Sequence, residues 1–190
     1  MKKTIIIMLC LLAAFAIVSC KHEPEKGSEP GPAVEEHGGI LTVRPAEGAA
    51  FTQDGKFQFK MAIKYYSGDS IEFKAKVSSD VTALEVREGG NGDTFYVPKE
   101  TALSNWEKDA DGWYIITIPG SKVTPASDSS ESLGITVRLP NDNRANCYVM
   151  IADLKIDGEL VDFADYTENT SFVSDYYKVP DLLSVLIEEN

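Results

Sequence analysis

Apolar and polar residues alternate along three stretches of this 190-residue chain. The alternation runs through residues 57–65, 71–77 and 133–139, with apolar side chains in one phase and mainly polar ones in the other. A period of two places successive side chains on opposite faces of a strand, so that one face meets a core and the other meets water. The pattern therefore predicts antiparallel sheets.

Further strands are predicted where short apolar runs end at turn sequences. They cover Ile40–Arg44, Ala83–Arg87, Thr94–Pro98, Trp113–Pro119 and Cys147–Ile156. Clusters of glycine, asparagine and aspartate separate the runs, as tight turns require. About eight regularly spaced strands without a long helix predict an all-β fold, a single antiparallel β-sandwich over residues 40–179.

The end of the chain, residues 180–190, has a different pattern. Pro180 suits the first position of a helix, and the apolar residues that would share one helix side are Leu182, Leu183, Leu186 and Ile187. We expect a short C-terminal helix here. Because isolated helices of about three turns are marginal, it would be stable only when docked.

The start of the chain has the features of an export signal. Lys2 and Lys3 precede an apolar run over residues 5–18. The run is shorter than the roughly 20 apolar residues that span a bilayer, but it has the length of the apolar region of a signal peptide. We predict a signal peptide over residues 1–19.

Residues 16–20, Ala-Ile-Val-Ser-Cys, resemble the lipobox of bacterial lipoproteins. This resemblance implies cleavage before Cys20, attachment of lipid to its thiol and anchoring in the outer membrane of the cell envelope, where several acyl chains hold a protein stably. Residues 20–39 are rich in glycine, proline and glutamate, which predicts a flexible tether. The charged residues after Cys20 resemble export signals of Bacteroidetes surface lipoproteins, which favours exposure at the cell surface over a periplasmic position.

The remaining cysteine, Cys147, has no partner for an intramolecular disulfide, since Cys10 leaves with the signal peptide and Cys20 carries lipid. Cys147 is therefore predicted to be a small buried apolar residue.

The charge balance excludes one class of partner. Lysine and arginine number 18 against 30 aspartate and glutamate residues, a formal net charge of -12. Nucleic acid is bound largely through clustered cations that replace phosphate counterions. We therefore expect no nucleic-acid partner.

Three segments resemble jelly-roll carbohydrate-binding modules of families 4, 9 and 22, which are galactose-binding-like sandwiches. They are residues 66–76, the pair Trp106 and Trp113–Pro119, and the pair Leu133–Val137 and Tyr148–Ile156. The resemblance covers roughly residues 40–160. It implies a jelly roll, carbohydrate binding and a structural calcium ion with Asp153 among its ligands; no cofactor is otherwise required.

Patterns needed for catalysis are missing. Glu107, Asp109 and Asp111 are spaced like the acids of a hydrolase strand or a calcium loop, but Gly112 and Ile118 stand where further carboxylates are needed. Both histidines, His22 and His37, fall in the predicted tether. We therefore expect no enzymatic activity and interpret residues 107–112 as an acidic hairpin turn.

Aromatic residues are the candidates for glycan binding, because sugar rings stack their apolar faces on aromatic rings while polar side chains bond the hydroxyl groups. The predicted ligand-binding residues are Trp106, Trp113, Tyr66, Tyr96, Arg87, Asn105 and Arg138. Tyr66 shares its phase with Lys60 and Lys64, so it should face outward. The competing interpretation is that the tryptophan and tyrosine residues only pack.

These features predict a lipid-anchored envelope protein that binds a polysaccharide or oligosaccharide without catalysis. The alternative is a structural or assembly lipoprotein that docks another envelope protein through an edge strand or the C-terminal helix. Glycan binding requires aromatic residues exposed together. Docking predicts that they are buried and that an apolar patch surrounds Leu182, Leu183 and Leu186.

Overall fold

The computed structural model describes residues 38–46, 55–89, 94–139, 146–165, 172–173 and 183–188, all within the unit Glu36–Asn190. The predicted signal peptide, Cys20 and the predicted tether up to residue 37 lie outside the described residues. Among the helices in these ranges, none has the length and apolar character needed to cross a membrane.

The described part of the chain is mainly β-structure. Its strands in chain order are β1 (Ile40–Pro45), β2 (Lys56–Met61), β3 (Tyr65–Tyr66), β4 (Ile71–Val77), β5 (Ala83–Glu88), β6 (Phe95–Val97), β7 (Glu107–Lys108), β8 (Tyr114–Ile118), β9 (Ser129–Ser130), β10 (Leu133–Arg138), β11 (Val149–Ile156), β12 (Glu159–Leu160), β13 (Phe172–Val173) and β14 (Leu183–Glu188). Short 3-10 turns occur at Leu103–Asn105, Gly120–Lys122 and Phe163–Asp165. The prediction of an all-β chain is confirmed.

The strands form two main sheets. A seven-stranded sheet has the order β14-β1-β11-β4-β8-β7, with β12 beside β11, and a five-stranded sheet has the order β13-β2-β10-β5-β6. Strands β3 and β9 make a separate pair. Every pairing among the described strands is antiparallel. The antiparallel prediction is therefore confirmed as well.

The apolar phase of the alternating segments forms the core. On β10, Leu133, Ile135 and Val137 are fully buried. They belong to one hydrophobic cluster together with Phe59 of the five-stranded sheet and Ile71 of the seven-stranded sheet, so both sheets contribute to the same core. Full burial of such a side chain stabilises the fold by roughly 1.5–3 kcal/mol.

The C-terminal helix predicted over residues 180–190 is wrong for the part that is described. Leu183–Glu188 is strand β14, paired antiparallel with β1 so that Leu186 lies opposite Thr42. The apolar spacing at this end of the chain fits a helix, but a helix this short is marginal alone. Pairing with β1 instead satisfies a row of backbone hydrogen-bonding groups that would otherwise lie at the edge of the sheet.

The folded part begins earlier than the predicted boundary at residue 40. Gly38 and Gly39 are buried, and the carbonyl of Gly38 accepts a hydrogen bond of 2.9 Å from the backbone N–H of Phe163. A Cβ at Gly38 would collide with the carbonyl oxygen of Val161. Only glycine fits such a close approach between two backbones, so Gly38 belongs to the fold rather than to the tether.

Candidate functional site

Three of the predicted ligand-binding residues line one groove of about 150 Å³. They are Tyr96, Asn105 and Trp106, and other lining residues include Pro98, Pro119 and Lys122. The remaining four predicted residues, Tyr66, Arg87, Trp113 and Arg138, are not among the residues that line this groove.

Two short turns position one wall and the rim of the groove. In the first, Leu103 is buried, and the backbone N–H of Trp106 donates to its carbonyl at 3.0 Å. In the second, the backbone N–H of Lys122 donates to the carbonyl of Pro119 at 2.8 Å, and Val123 directly after it is fully buried. Buried apolar residues therefore fix both turns, which places Trp106 and Lys122 on a rigid base.

Tyr96 of β6 forms a buried wall of the groove. Its hydroxyl lies 2.9 Å from the hydroxyl of Tyr65, and the two rings meet edge to face with centroids 5.8 Å apart. Burial raises the pKa of both phenols above the ordinary value. With only 2% of its surface exposed, Tyr96 contributes shape rather than an open stacking platform, so this groove does not bring together the exposed aromatic rings expected of a glycan site.

Trp106 is half-buried and packs against the hydrophobic cluster. Its indole Nε1 is buried and has no hydrogen-bond partner in the described part of the chain. A buried donor without a partner costs free energy, and because this nitrogen has almost no accessible surface, a ligand in the groove does not reach it. Asn105, immediately before it, is exposed and can donate and accept hydrogen bonds.

Trp113 lies outside this groove, beside the hairpin that joins β7 and β8. Its backbone N–H donates to Asp109 Oδ1 at 2.9 Å, and the same oxygen accepts from the N–H of Asp111 at 3.0 Å. The Lys76 ammonium lies 5.6 Å from the Trp113 ring centroid. The interpretation of residues 107–112 as an acidic hairpin turn is confirmed.

Tyr66 lines a different and larger groove, of about 530 Å³. It is 53% exposed, which confirms the predicted outward orientation. Lys64 Nζ lies 5.6 Å from its ring centroid and 3.2 Å from Glu131 Oε1, and this hydrogen bond raises the pKa of the lysine. The acidic residues that line this groove are Asp69, Asp157, Glu159, Asp162 and Asp165.

Arg87 and Arg138 lie on the outer face of the five-stranded sheet, the face opposite the apolar phase of β10. Arg87 is 4% exposed, and its side chain lies over Gly134, where an added Cβ would be 3.0 Å from Arg87 Cγ. Arg138 Nε donates to Glu85 Oε1 at 2.7 Å. Glu85 is itself buried and also accepts from the N–H of Glu100 at 3.0 Å. The two arginines are thus held within the sheet.

Asp153 does not fit the calcium site that the family resemblance implies. It lies at an irregularity of β11 with φ of 52° and forms an ion pair of 3.0 Å with Lys74. Calcium needs six to eight oxygen ligands. Within the described ranges, no three acidic, histidine or cysteine side chains are grouped so that they could hold a metal ion.

Cys147 is buried, as predicted for a small apolar residue. Desolvation raises the pKa of its thiol from 9.0 to about 11. A thiol of this kind is inert because the thiolate is the reactive form.

Lys122 is the groove residue that sequence reasoning missed. The predicted strand Trp113–Pro119 ends just before the turn that carries this lysine. That this turn meets β6 and Trp106 depends on contacts between distant segments, and no periodicity carries that information.

Comparisons with known protein families, with curated proteins and with solved structures gave no match.

Proposed function

We propose that this chain is a lipid-anchored protein of the cell envelope that binds glycan without catalysing a reaction. The supporting observation is the groove in which Trp106, Tyr96 and Asn105 meet. An apolar ring face of a sugar would lie against Trp106, and the exposed Asn105 amide would bond its oxygen atoms.

The proposed fold is a single sandwich with jelly-roll connectivity. Four consecutive strands of one sheet follow the order β1-β11-β4-β8. Four consecutive strands of the other follow the order β2-β10-β5-β6. Strands from the first and second halves of the chain thus interleave in both sheets, which is the expectation for two Greek keys in a jelly roll. The shared hydrophobic cluster supports packing of the sheets face to face.

The proposed location rests on residues 1–39 alone. The charged start, the apolar run and the lipobox ending at Cys20 support lipid anchoring in the outer membrane. The acidic, proline-rich segment after Cys20 supports a tether that holds the sandwich away from the bilayer.

The test compares two tryptophan variants of the full chain in detergent micelles. A panel of neutral and acidic oligosaccharides is titrated against wild type, Trp106→Ala and the matched control Trp113→Ala. Loss of one stacking partner should weaken binding about tenfold or more in Trp106→Ala, or roughly 1.4 kcal/mol, with no change in the control. Unchanged far-UV circular dichroism and a cooperative thermal transition would show that both variants fold. Equal binding by all three proteins, or no binding by wild type, would overturn the proposal.

A second candidate function, docking of another envelope protein, is favoured by strand β14. The other described strands that end a main sheet, β6, β7 and β13, have three, two and two residues, whereas β14 has six. Leu186 on β14 is 54% exposed. Long apolar edge strands are templates for pairing with another chain, and proteins usually shorten or charge them.

The docking candidate is tested by a photo-reactive amino acid at position 186 in cells, with position 115 as control. Ile115 is also exposed, at 40%, but belongs to a strand with neighbours on both sides. Docking predicts a discrete adduct from position 186. This adduct should disappear when Val185, the preceding residue, is replaced by proline. Adducts of equal yield from both positions would contradict it.

A further inference from the structure

The polar groups of the Trp106 groove are biased toward hydrogen-bond donors. Lys122 Nζ can only donate, while the side chains of Tyr96, Asn105, Thr101 and Thr117 can both donate and accept. Among the described residues that line the groove there is no aspartate or glutamate. The ligand group that best complements this set is an acceptor.

This bias is unusual for the chain as a whole. Acidic residues outnumber lysine and arginine by 30 to 18. The Tyr66 groove follows that trend, with five acidic side chains and Lys64. In the Trp106 groove the only charged residue among those described is Lys122, which is exposed.

The size of the groove limits the ligand further. Its volume is about 150 Å³. Pockets for larger organic ligands start at about 300 Å³. The groove therefore accommodates one sugar ring rather than several linked rings.

We infer that the groove selects a single terminal sugar ring that carries an anionic oxygen group, either a carboxylate or a sulfate. The Lys122 ammonium pairs with the anionic group, and Trp106 provides the ring contact. Ion-assisted hydrogen bonds of this kind are about twice as strong as neutral ones. This inference rests on the proposed function and names the ligand class of the same site.

The experiment titrates the full chain in micelles with methyl glucuronide, glucose 6-sulfate and methyl glucoside. Wild type should bind at least one anionic sugar about tenfold more tightly than the neutral one, and the preference should shrink as salt increases. Lys122→Gln should remove the preference, so that the anionic sugars bind no more tightly than the glucoside. The matched control is Lys99→Gln, because Lys99 lies over Phe95, 4.8 Å from its ring centroid, and does not line the groove.

The outcomes distinguish failure of the anionic-sugar inference from failure of glycan binding itself. Equal binding of neutral and anionic sugars, or a preference that survives Lys122→Gln, overturns the inference and leaves glycan binding standing. Binding of none of the three sugars by wild type overturns the inference, and if the oligosaccharide panel is also negative, the proposed function fails with it. Comparison of the glucuronide with the sulfate identifies which anionic group is recognised.

Discussion

The outer faces of the two sheets differ in how deeply their side chains are buried. On the five-stranded sheet, Thr136 and its neighbours Gln58 and Glu85 are polar, yet they are 1%, 3% and 2% exposed. On the seven-stranded sheet, the corresponding face includes Ile115 and Leu186, which are apolar and exposed. Alternation assigns a side chain to a face of a sheet, but it does not say whether that face meets water.

The difference indicates that the two faces contribute to stability in different ways. On the five-stranded sheet, buried polar atoms bond one another: Thr136 Oγ1 lies 3.1 Å from Gln58 Oε1, and Glu85 pairs with Arg138. Such groups are costly when one partner is lost. The exposed apolar residues of the other sheet contribute little to folding and are available for contact.

The largest effect on the polar outer face should follow from Glu85→Ala. The substitution leaves Arg138, whose side chain is 18% exposed, and the N–H of Glu100 without their acceptor. We expect the free energy of unfolding in urea to fall by about 3 kcal/mol, the lower end for a broken buried pair. Glu131→Ala removes the exposed partner of Lys64 and is the control, with no measurable change expected. Equal losses in the two variants would mean that burial of Glu85 does not matter.

A smaller loss is expected from Gly134→Ala. The new Cβ would lie 3.0 Å from Cγ and 3.3 Å from Nε of Arg87, so the arginine must shift. Overpacking of this kind costs about 1–3 kcal/mol. In an Arg87→Ala background the added methyl group has room, and its cost should fall to less than about 1 kcal/mol. Additive effects in this double-mutant cycle would show that the two side chains do not interact.

Tyr96→Phe should cost about 1 kcal/mol, because it removes one hydrogen bond while Tyr65 keeps a second acceptor, the carbonyl of Ser132 at 3.1 Å. Burial raises the phenol pKa in the folded state, so the proton is held more tightly there than in the unfolded chain. The stabilisation that comes from the protonated Tyr96 phenol is therefore fully present below about pH 10 and declines as the pH rises above that value.

Urea unfolding from pH 8 to pH 11 measures this decline. Cys147, whose pKa is raised to about 11, adds to the alkaline loss in both proteins and cancels in the comparison. The decline should be shallower in Tyr96→Phe than in wild type. Parallel curves would indicate that the tyrosine pair does not titrate on unfolding.

The smallest effect is expected at Ile115 on the seven-stranded sheet. Ile115→Thr should change the free energy of unfolding by no more than about 0.5 kcal/mol, as is usual for exposed positions. The adjacent Ile116 is fully buried, and Ile116→Ala should cost about 2–5 kcal/mol. A large loss at Ile115 would mean that the outer face of this sheet contributes to folding after all.

The strands were predictable because their signal is local. Residues 71–77 and 133–139 alternate within one strand, and the predicted spans match β4 and β10 closely. The end of the chain was not predictable in the same way, since the apolar residues around Leu186 fit a helix or a strand. The choice depends on the open edge of β1, which is about 140 residues away in sequence.

For the candidate site too, residue types could be identified in the sequence, but contacts between distant segments could not. Asn105 and Trp106 were identified from residue type, and their short 3-10 turn brings them to the groove. Arg87 was assigned to ligand binding from its chemistry, but its burial depends on Gly134 of a distant strand. Tyr66 could be assigned outward from its phase alone, whereas the five acids beside it come together only through the fold.

The position of β1 has a mechanical consequence. This first strand begins at Ile40, two residues after Gly38. It is hydrogen-bonded to β14 along one edge and to β11 along the other. A pull on the amino end of the domain, directed along the strand, would load both ladders in shear, so that many hydrogen bonds must yield together rather than one after another. A domain held by its amino end would therefore resist mechanical unfolding at β1, the strand to which the force is applied first.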